Sequence, residues 1–296
     1  MKDKLSRREF LKYAGTGTLA FAVLPIFDRA ALAPYLSGEN GSQVGVLVDT
    51  TRCIGCRACQ LACKEKNNLP ADAPTLPPNR TFPESLSATT FSLVEFRRVG
   101  GDDQHPEIRP VKKQCMHCLE PACVSVCPVA AMQKTARGPV VYDAEKCIGC
   151  RYCMLACPFN VPKFEWDSAN PRIRKCQMCA DLIEQGKLPA CVQACPVQAL
   201  TFGTRAELIA EAQARVSGAP AKYIPYIYGL NEVAGTSFLY LANVPFDQLG
   251  FAVNLPDTPL PDNTRQVLEK LPAVAAGIGL FLGGAAWWNA RRARHE

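Results

Sequence analysis

The sequence predicts an α+β fold made of two similar modules, each built round paired cysteine quartets, with a long insertion and one C-terminal apolar helix. Three observations predict it. All 16 cysteines of the 296-residue chain fall into four groups of four, with none left over. The first and third groups repeat one another at most positions. An uncharged 20-residue stretch, 271–290, stands between Lys270 and Arg291 near the C-terminus.

Composition narrows the classes further. A hydrophobic content of 48% and a charged content of 20% exclude a disordered or collagen-like chain. The mean hydropathy of −0.03 excludes a polytopic membrane protein and leaves room for a single span. The net charge of +6 is small, and the basic residues form no long stripe, so nucleic acid is not an expected partner.

Taken in chain order, the first segment is 1–33. Ser6-Arg7-Arg8-Glu9-Phe10-Leu11-Lys12 precedes an apolar stretch that runs to Phe27 and contains Gly15, Gly17 and Pro25. This is the form of a twin-arginine export signal, which implies the twin-arginine translocation machinery and export of an already folded chain. A plain amphipathic helix with a chance Arg pair is the alternative. Ala31-Leu32-Ala33 has the small-residue form of a cleavage site, but Pro34 directly after it disfavours cleavage.

The second segment, 34–205, holds the cysteines. The groups are Cys53-x2-Cys56-x2-Cys59-x3-Cys63, Cys115-x2-Cys118-x4-Cys123-x3-Cys127-Pro128, Cys147-x2-Cys150-x2-Cys153-x3-Cys157-Pro158, and Cys176-x2-Cys179-x11-Cys191-x3-Cys195-Pro196. Thiolates three residues apart let one loop wrap a metal cluster with backbone N–H groups turned to the sulfurs, and Gly55 and Gly149 permit the backbone angles that such loops need. The fourth cysteine lies one helical turn beyond the third, points away, and ligates a different cluster. This is the bacterial-type ferredoxin run for paired [4Fe–4S] clusters. Disulfides would suit an exported chain with an even cysteine count, but cysteines three apart in every group make poor long-loop staples. Zinc ribbons use C-x2-C pairs, two per metal, and need neither the third cysteine of a triple nor the x3 fourth.

The repeat of Cys53-Ile54-Gly55-Cys56-Arg57 in Cys147-Ile148-Gly149-Cys150-Arg151 indicates a duplicated module. Each module is expected to be a βαβ-like unit, with short strands at 44–48 and 139–142 leading into cluster loops and a closing strand at 201–203. The Pro-rich insertion 64–114 is expected to be a surface excursion. Residues 206–268 read as an extension for partner contacts, where Tyr223, Tyr226 and Tyr228 form either a contact strip or part of a core. Residues 269–290 read as a transmembrane helix: twenty helical residues rise about 30 Å, the thickness of the hydrocarbon core. Trp287 and Trp288 suit the interface, Gly279 and Gly283 suit packing on another span, and the basic tail 291–296 suits the cytoplasmic side. A buried core helix is the alternative. The export signal and the positive tail point to the same topology, a single-pass inner-membrane protein with its main domain in the periplasm.

No catalytic constellation competes. The three histidines are His105, His117 and His295, and His117 is expected to pack or hydrogen-bond rather than ligate. No nucleophile motif, P-loop or dinucleotide fingerprint is present, so the chain is not an enzyme by itself. Arg52, Arg57, Lys113, Arg151 and Lys175 flank the cysteine loops and are candidates for raising cluster potentials, with ordinary solvated charges as the alternative reading.

With these motifs in place, residues 44–205 resemble the four-cluster ferredoxin-like iron–sulfur subunits of membrane-bound respiratory oxidoreductases. The stretches Lys112-Lys113-Gln114-Cys115-Met116-His117-Cys118 and Phe202-Gly203-Thr204-Arg205-Ala206-Glu207-Leu208, and the segment from Tyr228-Gly229 to Val244-Pro245, are most similar to the hydrogenase-2 type. The resemblance implies four [4Fe–4S] clusters, with Cys150 supplying the ligand that a [3Fe–4S] relative lacks. It also implies ligand sets that cross between groups. These are Cys53, Cys56, Cys59 and Cys195; Cys115, Cys118, Cys123 and Cys157; Cys147, Cys150, Cys153 and Cys127; and Cys176, Cys179, Cys191 and Cys63. Lys64 stands where the other groups have proline. The implied partners are the small and large catalytic subunits of a [NiFe] hydrogenase and an integral membrane quinone-reactive subunit. The alternative is a molybdopterin catalytic subunit of formate dehydrogenase, dimethyl sulfoxide reductase or polysulfide reductase type. An anchor protein with zinc sites is the reading from another class, and visible absorption that bleaches with dithionite would exclude it.

Overall fold

The computed structural model describes residues 43–72 and 80–292. The leader 1–33 and the end of the basic tail lie outside the described residues.

Strand β1 (Val44–Asp49) is buried along its whole length. Its apolar run reads as a central strand, and it occupies the middle of a three-stranded sheet. Strand β8 (Leu200–Thr204) pairs with it antiparallel, Val46 opposite Phe202, and β9 (Phe238–Leu241) pairs parallel, Val46 opposite Phe238. The strand before the first quartet is thus hydrogen-bonded to the strand after the fourth. The antiparallel β1–β8 pair differs from the expected βαβ-like unit, whose strands would run parallel. Periodicity within one strand carries no information on its partner's direction.

Side chains alternate across β1. Val44, Val46 and Val48 join Met116, Met178, Tyr228, Phe238 and Tyr240 on one face. Leu47 packs on the other with Leu239, Leu241, Tyr223 and two residues of helix α6 (Arg205–Gly218), Leu208 and Ala212. The capping box of Thr204 and Glu207 starts that helix: Thr204 Oγ1 accepts from the Glu207 N–H, and the Thr204 N–H donates back to the Glu207 carboxylate. Each such apolar side chain taken fully out of water contributes about 1.5–3 kcal/mol.

The cysteine groups sit on short helices: α1 (Ala58–Lys66), α2 (Ala122–Ser125), α3 (Tyr152–Ala156), α4 (Ala180–Glu184) and α5 (Ala190–Gln193). Between the second and third groups, β4 (Met132–Lys134) and β5 (Val140–Tyr142) form an antiparallel pair. A second small pair, β6 (Lys163–Phe164) with β7 (Ile173–Arg174), follows the third group.

The insertion is more than a surface excursion. Its strands β2 (Leu93–Gly101) and β3 (Pro106–Lys113) form a hairpin with a bulge between Arg98 and Gly100. The hairpin's base is core, with Leu93, Val94, Val111 and Lys112 buried. The segment ahead of it is tied to α1. Gln60 Nε2 donates to Asp72 Oδ2 at 2.8 Å and to the Phe82 carbonyl at 2.8 Å, while its Oε1 accepts the Val94 N–H at 3.0 Å. Lys64, in place of the usual proline, is buried, pairs with Asp72 at 2.9 Å and donates to the carbonyls of Pro70 and Thr89.

The extension also joins the core, because β9 lies within it. Tyr228 and Tyr240 are fully buried and stack with Phe246 and Phe251, the Tyr228–Phe251 ring centroids lying 4.6 Å apart. Tyr223 donates to the buried Asp49 at 2.7 Å. Two of the three tyrosines are therefore core, and only Tyr226, 46% exposed, is on the surface. Helix α7 (Leu260–Leu268) precedes α8 (Leu271–Arg292). Over Leu271–Asn289 the mean hydropathy is 1.5 and none of the stretch is buried among the described residues, so by length and composition it could cross a membrane.

Candidate metal centres

Left-handed backbone shapes the cysteine loops. Gly55 and Gly149 have φ of +72° and +70°, and Arg57 and Arg151, at the N-caps of α1 and α3, have φ of +60° and +63°. His117, Met178 and Cys179 do the same in the other two groups. Such turns aim amides at sulfur: the Gly149 N–H donates to Cys147 Sγ at 3.4 Å and the Met178 N–H to Cys176 Sγ at 3.3 Å. After the Cys-Pro steps, Ala130 and Gln198 are left-handed, which lets the Ala131 N–H reach Cys127 Sγ at 3.2 Å and the Ala199 N–H reach Cys195 Sγ at 3.3 Å. Where the proline is replaced by Lys64, a side chain substitutes, with Asn67 Nδ2 at 3.6 Å from Cys63 Sγ.

The fold gathers cysteines from distant groups. One cavity of about 290 Å³ is lined by Cys63, Cys176, Cys179 and Cys191. A smaller one, about 20 Å³, is lined by Cys53, Cys56, Cys59 and Cys195. Cys118 lies close enough to Cys115, Cys123 and Cys157 for each to act on its ionisation, and Cys153 stands in the same relation to Cys147, Cys127 and Cys150. These gatherings lie near enough to act on one another: Cys59 is influenced by Cys191, Cys176 by both Cys63 and Cys115, and Cys123 by Cys153. Among the described residues, the exposed cysteines are Cys56 and Cys150. Each stands beside exposed apolar side chains, Ile54 and Leu61 near the first, Ile148, Tyr152, Leu155 and Trp166 near the second.

Burial opposes charge on these thiols. It pushes Cys59, Cys63 and Cys123 up to about 12 and Cys153 up to about 11, and raises Cys118 and Cys176 well above the usual thiol range. Four clustered thiols become thiolates here only if a strongly positive group among them compensates. A lone ion does not fit. A structural zinc site needs four ligands converging on one point, and among the described residues no group of three or more His, Cys, Asp or Glu side chains is placed to hold a single metal ion. Thiols lining a cavity, with amides donating to the sulfurs, fit a polynuclear iron–sulfur group.

The charged residues near the thiols are only partly those expected. Lys175 is buried, donating to the carbonyls of Val140 and Cys176, and its charge eases ionisation of Cys123. Arg57 is buried against the Phe96 ring at 4.9 Å and lines the smaller cavity. Arg151 is exposed and stacks on Phe164 and Trp166, and Arg52 is exposed. Lys113 sits over the Phe251 ring and donates to the Gly250 carbonyl at 3.0 Å, in a groove without cysteines.

Its neighbour Lys112 is the residue directed at the thiols. Burial works against its ammonium, but Cys191, Cys59, Tyr240 and Cys176 together hold its pKa above the usual lysine range. Lys134, which donates to the Cys118 carbonyl at 2.8 Å, is the second lysine absent from the expected set. Alternation along β3 is the sequence signal that could have separated Lys112 from Lys113. His117 is fully buried and accepts the Val140 N–H at Nδ1, 2.8 Å away. Burial, with Lys175, Lys134 and Lys112 nearby, keeps the ring neutral, and its Nε2 has no protein partner.

Comparison with known proteins places these features in context. Residues 107–205 match the family model of the 4Fe–4S dicluster domain. The chain is 41% identical to a protein of Nitratidesulfovibrio vulgaris (strain Hildenborough), over 95% of this chain and 76% of that one. It is 36% identical to the hydrogenase-2 operon protein HybA of Escherichia coli O157:H7, over 94% of this chain and 95% of the relative. With the iron–sulfur subunit of the nitrate-inducible formate dehydrogenase of Escherichia coli (strain K12) it shares 34% identity, over 82% and 83% of the two chains.

Proposed function

The chain belongs to the family of iron–sulfur electron-transfer subunits that includes HybA and the formate dehydrogenase iron–sulfur subunits, and from that premise we propose that it relays electrons between a periplasmic [NiFe] hydrogenase pair and an integral membrane subunit that reacts with quinone. The observation that carries this reading is the gathering of thiols from distant groups into sets that act electrostatically on one another, with an exposed cysteine in each of two sets, Cys56 and Cys150.

We assign four ligand sets: Cys53, Cys56, Cys59 and Cys195; Cys63, Cys176, Cys179 and Cys191; Cys115, Cys118, Cys123 and Cys157; and Cys127, Cys147, Cys150 and Cys153. The shared cavities and mutual electrostatic influence of these thiols support the sets. A [4Fe–4S] cluster held at each supplies one-electron chemistry with little ligand movement. The chain's own residues supply the rest. Thiolates ligate, amides such as those of Ala131 and Ala199 donate to sulfur, and the β1–β8 pair holds the first and fourth groups together. Buried cations beside the thiols, with Lys175 and Arg57 among the residues picked from sequence, favour the more negative reduced state. No residue here performs the catalytic reaction, which belongs to a partner.

The first and fourth groups form one two-cluster unit and the second and third groups its duplicate nested within it, with the insertion between the first and second groups. The leader 1–33 sends the folded chain through the twin-arginine machinery, and 269–290 anchors it with the main domain on the periplasmic side and 291–296 in the cytoplasm. The uncovered apolar α8 and the Arg-rich tail support this topology. The apolar side chains around Cys56 and Cys150 support docking faces for two partners.

The likeness to formate dehydrogenase subunits favours a second reading, in which the donor is a molybdopterin enzyme. Metal analysis of the complex purified in mild detergent from native membranes separates the two. Nickel, with iron beyond the roughly sixteen per chain that four clusters here require, is the expected result. Molybdenum or tungsten without nickel assigns the second reading. Zinc in place of iron overturns both.

A further inference from the structure

Among the described residues, Lys112 is the only one that lines both cysteine cavities, the one with Cys63, Cys176, Cys179 and Cys191 and the one with Cys53, Cys56, Cys59 and Cys195. It stands in the wall between them. Opposite it in the hairpin is Val94, which lines the smaller cavity, and two residues earlier Ser92 lines the larger. The residue is 3% exposed. Its Nζ donates to Ser92 Oγ at 2.8 Å and to Gln114 Oε1 at 2.7 Å, both neutral acceptors, so its charge is not cancelled where it sits. Gln114 is itself oriented, its Nε2 donating to Tyr240 Oη at 2.5 Å. The ammonium is therefore built into position by the insertion and by β9.

We propose that Lys112 is a shared electrostatic determinant of two redox sites, raising the reduction potentials at the Cys53 set and the Cys63 set together. The proposal rests on the four-cluster reading. Reduction adds one negative charge to a site, and a positive charge buried beside it favours that state, with little screening by solvent. One charge placed between two sites acts on both with the same sign. It shifts their common level and leaves the difference between them nearly unchanged, so the pair moves together without altering the step from one to the other. Two separate lysines would tune each site independently.

The test is an EPR-monitored redox titration of the assembled, detergent-purified complex carrying Lys112→Gln. The expected result is that two of the four potentials fall. At each, the reduced-to-oxidised ratio at a given applied potential drops about tenfold, equivalent to about 59 mV for a one-electron couple. The other two potentials stay in place, iron per chain is unchanged, and Lys112→Arg recovers most of the shift. Full iron content with no potential moved, with only one moved, or with all four moved alike overturns the proposal. If Lys112→Gln does not assemble, Gln114→Glu keeps the ammonium and sets a carboxylate against it. The same two potentials are expected to fall, and unmoved potentials again overturn the proposal. Failure of the four-cluster reading is seen separately, in the wild-type complex, as fewer than four iron–sulfur titration signals beyond those of the catalytic partner purified alone.

Discussion

Gly55 and Gly149 occupy the same place in the repeated motif and both have left-handed backbone, yet a β-carbon would meet different surroundings. At Gly149 the nearest atom is Phe164 Cε2 at 3.8 Å, an ordinary contact. At Gly55 it would lie 2.7 Å from Phe96 Cε1 and 3.2 Å from Pro110 Cβ, on the hairpin of the insertion. Gly149→Ala is expected to cost only the conformational term, about 1–2 kcal/mol. Gly55→Ala adds an overpacking cost of about 1–3 kcal/mol and loosens the loop of Cys53 and Cys56. Melting of the iron-loaded proteins and iron content per chain check this: the Gly55 variant should melt lower and lose iron, and equal behaviour would refute the clash. Lys64 makes a second residue-level case. Removing one partner of a buried ion pair costs about 3–5 kcal/mol, and Lys64 also holds two carbonyls. Lys64→Ala should expose the 65–92 region to limited proteolysis while leaving the Cys115 and Cys147 groups protected, as fragment mapping would show.

Among the elements, α6 owes its start to the Thr204–Glu207 box and its position to Leu208 and Ala212 on β1 and β9. Thr204→Ala is expected to destabilise by about 1 kcal/mol, seen as a melting point lower by about 2–4 °C, with Thr204→Ser close to wild type. The hairpin of β2 and β3 has a larger part than its place in the chain suggests. Its base supplies Ser92, Val94 and Lys112 to the cavities and Phe96 to the cover over Gly55. Shortening the exposed tip around 101–105 should leave iron content unchanged, since those residues touch neither cavity. Loss of iron in such a variant would mean that the tip supports the base.

At the scale of the whole molecule, thiols from distant groups are gathered together and α8 is not buried among the described residues. Removal of residues 269–296 is expected to shift the protein from the membrane fraction to the soluble fraction, with the absorption of the iron-loaded domain kept. Retention on membranes after truncation would assign the attachment to another surface, such as the apolar side chains around Cys150. Stripping the iron should affect the cysteine-bearing body far more than α8. Burial holds thiols such as Cys59, Cys63, Cys118, Cys123 and Cys176 protonated, and the cavities lose the group that compensates charge there, so near-UV and far-UV circular dichroism should both fall on chelation under oxidising conditions.

Cysteine spacing, the internal repeat and the apolar C-terminal stretch were sufficient to read iron–sulfur chemistry, a ferredoxin-type domain and one apolar helix, because each is a local pattern. Thiols three apart and twenty uncharged residues act through the first neighbours of each residue, which a linear text displays. The strands at 44–48 and near 139–142 were legible for the same reason. What lay beyond the sequence was every decision made between distant segments. That β1 pairs with β8 and β9, that the insertion closes over the first group, and that Tyr228 and Tyr240 are core all depend on which surfaces meet. Lys112 and Lys113 show the limit most clearly. Adjacent and identical in type, they have different fates because the strand that carries them turns one side chain inward between two cavities and lays the other on Phe251. Adjacency along the chain marks which charges are near a cysteine in number, and only packing decides which of them is near it in space.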